Sequence, residues 1–213
     1  MKLNVVVLAA GKGTRMVSSQ PKVLHKLAGK PLLLHVLETA QELACDNLQV
    51  VTGYGAEKVE AELGGLVNRF VLQKEQLGTA HAVQQTMDGL DDDAVVLVLY
   101  GDVPLIKASS LQDLLDQVDE NTMGVLTCVV DDPTGLGRII RDKDGQISRI
   151  VEEKEAGPNE KEVREINTGF MAIPVQRLKD WLPRVGANNA QKEYYLTDLV
   201  ELAIEDGYRV TTS

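Results

Sequence analysis

Cysteine is nearly absent from the sequence: Cys45 and Cys128 stand far apart, with no Cys-x-x-Cys spacing. That excludes a disulfide framework or thiolate metal centre and reads as two small buried apolar residues in a reducing compartment. Long hydrophobic runs are missing too. The longest, at residues 5–10 and 94–100, fall far short of the roughly 20 residues a membrane helix needs. No signal-peptide core precedes a cleavage site, so the expected location is the cytoplasm, without membrane association. The three histidines, His25, His35 and His81, form no nucleophile or metal-ligand pattern. Acidic residues are absent before Glu38, whereas Lys2, Lys12, Arg15, Lys22, Lys26 and Lys30 are cationic. The whole chain carries a net charge of −10, which argues against nucleic acid as a partner. A small basic zone on an acidic body suits a compact polyanion such as a nucleotide.

What is present begins with Leu3-Asn4-Val5-Val6-Val7-Leu8, a short apolar run whose valines favour a buried strand. It continues as Ala9-Ala10-Gly11-Lys12-Gly13-Thr14-Arg15-Met16. A strand that opens into a glycine-rich turn brings backbone N–H groups close to whatever lies above its end. With Lys12, Arg15 and Lys22 nearby, the implied occupant is a phosphate. An ordinary strand-to-helix turn is the plainer alternative. The dinucleotide fingerprint needs glycine where Met16 stands, and the P-loop needs a longer loop, so neither matches.

Strand-like and helix-like patterns then alternate. A helix follows Pro31, with Leu33, Val36, Leu37, Ala40, Leu43 and Ala44 at helical spacing. Strands are expected at residues 48–51 and 69–72, with a helix between them ending near Leu63. This alternation indicates an α/β fold with a mainly parallel sheet and right-handed crossovers. Gln73 and Gln76 stand in a polar loop before Thr79, which is placed to cap a helix; their amides suit a planar base edge. Asp91-Asp92-Asp93 reads as a solvated turn. Residues 94–99 form a central strand covered on both faces, ending in Tyr100-Gly101-Asp102. Asp102 thus sits where ligands bind in such sheets, and its hard oxygens suit Mg²⁺; a turn or capping role is the alternative. A helix is expected over 107–120, and strands follow at 125–130 and after Arg138. Asp144-Gly145 marks a hairpin into residues 147–151. Residues 156–162 read as a mobile insertion. Gly169 inside the next strand implies a close approach to its backbone. A helix from Pro174 to Trp181, another carrying Leu196, Leu199, Val200 and Ala203, and a last strand complete the chain.

Five further blocks stand in order: Gln76-Leu77-Gly78-Thr79-Ala80-His81-Ala82, Tyr100 to Pro104, Asp132 to Ile139, Glu165 to Gly169, and Glu193-Tyr194-Tyr195-Leu196-Thr197-Asp198. Together with the Leu8–Met16 stretch, they resemble the N-acetylglucosamine-1-phosphate uridyltransferase domain of the bifunctional bacterial GlmU enzymes. The resemblance covers essentially all 213 residues. It implies a single nucleotidyltransferase domain over 1–213, with a Rossmann-like mixed, mainly parallel sheet flanked by helices, of the nucleotide-diphospho-sugar transferase type. It also implies Mg²⁺-dependent formation of UDP-N-acetylglucosamine and pyrophosphate from UTP and N-acetylglucosamine 1-phosphate, supplying peptidoglycan and lipopolysaccharide precursors. In that assignment, Leu8, Ala9, Ala10 and Gly11 hold the nucleotide, and Arg15 and Lys22 neutralise phosphates. Gln73, Gly78 and Thr79 read uracil and ribose. Asp102 binds Mg²⁺, with Tyr100 and Gly101 lining the site. Gly137, Glu152 and Asn167 recognise the sugar.

Three departures accompany the resemblance. Lys192 stands where glycine is expected, and Val17 where tyrosine is commoner. A second metal ligand, an asparagine, and a left-handed β-helix acetyltransferase domain are expected beyond residue 213; homotrimer formation is expected only with that domain. The alternatives are a nucleotidyltransferase using another nucleoside triphosphate, or a non-catalytic nucleotide-sugar-binding fragment.

Overall fold

The computed structural model describes residues 1–13 and 18–213. Its sheet is seeded by β1 (Lys2–Ala9), whose side chains alternate between two buried faces. Val5 and Val7 join one apolar cluster, and Val6 and Leu8 the other. The same two-residue period divides β6 (Ala94–Tyr100): Leu97 and Leu99 face one way, Val96 and Val98 the other. Such near-continuous burial is what a parallel sheet covered on both sides requires.

β1 lies between β4 (Asn47–Thr52) and β6, parallel to both, and β5 (Arg69–Leu72) extends the sheet parallel to β4. On the other side of β6 runs β10 (Glu165–Pro174), antiparallel to β6 and to β7 (Thr122–Val129). β11 (Arg209–Thr212) closes that edge parallel to β7. The hairpin of β8 (Arg138–Arg141) and β9 (Ile147–Val151) joins through a pair between β8 and β10. A two-residue hairpin, β2 (Lys26–Leu27) with β3 (Lys30–Pro31), precedes the first helix. Chain order moves outward from β1 to β5 and then jumps back to β6, so the strand order reverses between β1 and β6. In open α/β sheets that reversal opens a crevice above the strand ends.

Among the helices, α1 (Leu32–Glu42), α2 (Ala56–Leu63) and α4 (Ala108–Leu115) bring Leu33, Leu37, Val59 and Leu111 to the face holding Val5. α3 (Thr79–Gln84), α6 (Val175–Trp181) and α7 (Asp198–Glu205) cover the face of Val6 with Val83, Leu178, Trp181 and Leu199. Trp181 is fully buried, and its indole N–H donates to Asp206 over 2.8 Å. No helix among the described residues is long and apolar enough to cross a membrane.

Four expectations change. The helix expected over 107–120 stops at Leu115, because the chain folds into tight turns at Gln117 and Val118 and bridges Asp119 to Thr122. Residues 156–162 hold one helical turn, α5 (Pro158–Lys161), started by Pro158 and capped by a Glu160 carboxylate 2.8 Å from the Gly157 N–H. Ala44 leaves the buried stripe: it lies beyond α1 at a φ of 51° and is exposed. Neither cysteine is fully buried. Cys45 is half-covered, and Cys128 is exposed where the burial of β7 falls away over its last residues.

Candidate functional site

Four strand ends, those of β1, β4, β5 and β6, meet above the β1/β6 reversal. Leu8 O accepts from Gly101 N–H at 2.9 Å, tying the turn after β1 to the end of β6. Ala10 O accepts from Tyr54 N–H at 3.3 Å, tying the same turn to the loop after β4. The Gln73 N–H donates to Thr52 O at 2.8 Å, continuing the β4–β5 ladder by one residue. Above them lies a cleft of about 670 Å³, a volume suited to a nucleotide-sized ligand.

Ten of the expected site residues line this cleft: Leu8, Ala9, Ala10, Gly11, Lys22, Gln73, Gly78, Thr79, Tyr100 and Asp102. Gly101 stands just behind the wall, where an added Cβ would meet Leu33, Val23 and Ala9 within 3.4 Å. Arg15, with Met16 and Val17, lies outside the described residues. Lys12, Gly13, Gln76, Ala82 and Glu193 also line the cleft. Lys12 and Gly13 carry the signal of the glycine-rich turn itself. Glu193 has none beyond its place before the tyrosine pair, since its approach is a tertiary event.

The electrostatics centre on an ion pair. Lys22, on a short 3₁₀ turn over Lys22–Leu24, donates its ammonium to an Asp102 carboxylate oxygen. Both side chains remain partly exposed to the cleft. Asp102 is thus a half-exposed hard oxygen donor already facing one cation. Among the described residues no group of three His, Cys, Asp or Glu side chains is placed to hold a metal. A single carboxylate nevertheless fits Mg²⁺, which typically takes one or two carboxylates and completes its shell with water and substrate phosphates.

The loop at residues 73–79 is held from outside by the segment 193–197. Leu77 O accepts from Tyr194 N–H at 2.8 Å, and Tyr194 O accepts from Ala80 N–H at 2.9 Å. Gly78 is squeezed between them at a φ of +115°, and a Cβ there would lie 2.4 Å from the Tyr194 carbonyl oxygen. Only glycine tolerates that approach. Thr79 does not act as the helix cap. Gly78 precedes the helix, and the Thr79 hydroxyl accepts from Leu196 N–H at 2.9 Å.

Gly137, Glu152 and Asn167 stand outside this cleft, behind Tyr100. Asn167 N–H donates to Gly137 O at 2.8 Å, and Asn167 Oδ1 accepts from Gly169 N–H at 2.9 Å. Gly169, at a φ of +90°, lets the Tyr100 ring approach so closely that a Cβ would sit 2.5 Å from it. This is the contact that a glycine inside a strand implies. Glu152 flanks Gly137, and it opens on a second cleft of about 300 Å³ that also holds Glu155, Tyr195, Thr197, Asp198 and Glu201. Burial raises the Glu152 carboxyl above its usual range, opposed by the Thr197 hydroxyl and helped by Glu155 and Glu193. Burial, followed by the charges of Glu201, Glu155 and Glu152, lifts Asp198 to about 6. Burial, and then the Glu152 charge, hold the Tyr100 phenol protonated well above its ordinary value. The residues of this second cleft other than Glu152 carry no sequence pattern marking them as one site. They come from β9, the turn after it, α5, the segment before α7 and α7 itself, and only the packing of the hairpin brings them together.

A family profile described as "MobA-like NTP transferase domain" matches residues 5–146. The "Bifunctional protein GlmU" of Chromohalobacter salexigens is 56% identical over 213 residues, covering 100% of this chain and 47% of that protein. The protein of the same name from Burkholderia orbicola is 54% identical over 211 residues, 99% of this chain and 47% of its own length. The resemblance to GlmU therefore runs along the whole chain, which spans about half the length of these relatives. The crystal structure of UDP-glucose pyrophosphorylase complexed with UDP-glucose superposes with a TM-score of 0.77 at 18% identity, covering 97% of this chain and 88% of that one. A nucleotidyl transferase from Methanothermobacter thermautotroptrophicus gives 0.69 at 21% identity, covering 100% and 87%. At such identities the likeness concerns the fold, which is the mainly parallel nucleotide-diphospho-sugar transferase type.

Proposed function

Since the chain belongs to the MobA-like NTP transferase domain family, we propose that it transfers a uridylyl group from UTP to N-acetylglucosamine 1-phosphate. The products are UDP-N-acetylglucosamine and pyrophosphate. One observation carries the reading. The glycine-rich turn, the Lys22–Asp102 pair and the Gln73–Gly78–Thr79 loop, far apart in sequence, face one cleft at the sheet's reversal point. The identity to GlmU supports the choice of base and sugar.

In this reading, a phosphate oxygen of the sugar phosphate attacks the α-phosphorus of UTP. The bond to the bridging oxygen breaks, and pyrophosphate leaves. The nucleophile is already anionic, so no general base is needed, and the protein's task is positioning and charge stabilisation. Backbone groups of Leu8 to Gly11 hold the nucleotide, while Gln73, Gly78 and Thr79 read uracil and ribose. Lys22 exchanges its carboxylate partner for phosphate oxygens, and Arg15 takes the leaving pyrophosphate. Asp102 is the residue that would hold Mg²⁺, which supplies Lewis-acid charge compensation and a template for the phosphates when bound. Tyr100 lines the passage toward the sugar, where Gly137, Glu152 and Asn167 recognise hydroxyl and N-acetyl groups. The same reading places the activity in the cytoplasm, in the supply of peptidoglycan and lipopolysaccharide precursors. It assigns homotrimer formation to the β-helix domain expected beyond residue 213.

Asp102→Ala and Arg15→Ala, each assayed for UDP-N-acetylglucosamine formation, test the assignment. Each is expected to lower turnover by about 100-fold or more while leaving the circular dichroism spectrum unchanged. Near-normal turnover in either variant contradicts it.

A further inference from the structure

The side-chain amide of Gln73 is not free to turn. Its Nε2 lies 3.1 Å from Gly78 O and 3.0 Å from His81 Nδ1. A peptide carbonyl only accepts, so Gly78 O requires the NH₂ end of the amide at that position. With one amide hydrogen on Gly78 O, the other points at His81 Nδ1. That nitrogen must then accept, which puts the ring proton on Nε2. The amide oxygen is left over. Gln73 Oε1 makes no hydrogen bond among the described residues, is not sealed inside the protein, and belongs to a residue that lines the large cleft. Gln76 braces the same residue from the main chain, its Nε2 donating to Gln73 O at 3.0 Å. His81 is held in turn on α3, beside the Tyr194 ring at a centroid distance of 6.5 Å.

We infer that His81 is a specificity-determining positioning residue: with Gly78 O, it locks the Gln73 amide so that only a hydrogen-bond acceptor faces the base. This rests on the nucleotidyltransferase reading of the cleft and deepens it. The ring nitrogen between the carbonyls of uracil or thymine carries a hydrogen and donates to such an acceptor. The equivalent nitrogen of cytosine is itself an acceptor, as is N1 of adenine. An amide free to rotate would serve either kind of base; a locked one rejects the second, because two lone pairs would face each other in a desolvated site. His81 touches no reacting atom, and its effect passes entirely through Gln73.

Calorimetric binding of UTP and CTP tests this without relying on turnover. The comparison set is the wild-type chain and the His81→Leu, His81→Ala and His81→Asn variants. Leucine and alanine remove the acceptor, whereas asparagine returns a carbonyl oxygen near the place of Nδ1. His81 is only half-buried, so these changes are compatible with folding. The wild type is expected to prefer UTP. The preference is expected to fall about tenfold in the leucine and alanine variants, through tighter CTP binding as well as weaker UTP binding, and to be retained in the asparagine variant. A UTP preference that survives both leucine and alanine overturns the inference alone. An asparagine variant as unselective as the leucine one also overturns it, since packing would then explain the loss. A wild type without preference for UTP removes the uridine reading and this inference together.

Discussion

Lys192 holds a backbone φ of 55°, in the left-handed region, at the exposed corner where the resemblance to GlmU expects glycine. The cause is local. Lys192 N–H closes a turn onto Asn189 O at 3.0 Å, and the chain must then reverse so that Tyr194 can clamp Leu77 and Ala80. A side chain in that region costs about 1–2 kcal/mol, and glycine returns part of the gain through its freer unfolded chain. Lys192→Gly is expected to stabilise the protein by about 0.5–1 kcal/mol, raising Tm by roughly 2–3 °C, as read by calorimetry. A lower Tm would show that the lysine makes a compensating contact. Single residues were also where sequence reading had most and least purchase. Gly169 announces a close approach on its own, and the structure supplies the Tyr100 ring. Cys128 announces nothing, because its exposure depends on where the cover of β7 stops.

Elements with a strong local period were legible to within a residue or two: β5 and β9 begin and end where apolar runs meet turn residues, and Gly145 turns the β8–β9 hairpin at a φ of +79°. What the chain could not disclose locally is how β10 lies. Its antiparallel insertion between β6 and β7 is a property of the assembled sheet, and with it comes the second cleft, shared between β9 and α7. At the start of α7, Asp198 is surrounded by Glu152, Glu155 and Glu201, while Glu160 nearby is paired with Arg149. An unfolded aspartate titrates near 4, so the folded state at about 6 keeps its proton to higher pH. Stability from this group is therefore greatest below about pH 4, declines as pH rises through 4 to 6, and is level above that. Asp198→Asn is expected to stabilise the protein at pH 7.5 by about 1 kcal/mol, after allowing for partial exposure, and to change little at pH 4. Urea unfolding at the two pH values measures this. An equal gain at both would assign the effect to packing instead of charge.

At the scale of the whole molecule, the sheet does one thing that no segment does alone. Its reversal between β1 and β6 gathers a glycine-rich turn, a carboxylate with a lysine partner and a clamped amide loop around one cleft. The places of the glycine-rich turn and of Asp102 were legible because each sits at the end of a strand that sequence pattern identifies. The clamp from Tyr194 and the lock on Gln73 were not, since both join residues that only tertiary packing makes neighbours. We propose that this cleft performs uridylyl transfer to an N-acetylated sugar phosphate. Pyrophosphate release with UTP, CTP, ATP and GTP, each paired with N-acetylglucosamine 1-phosphate or glucose 1-phosphate in the presence of Mg²⁺, measures it most directly. Release is expected to be fastest with UTP and N-acetylglucosamine 1-phosphate, by about tenfold or more over every other pair. Equal or faster release with another base or sugar, or none with any pair, would contradict that assignment.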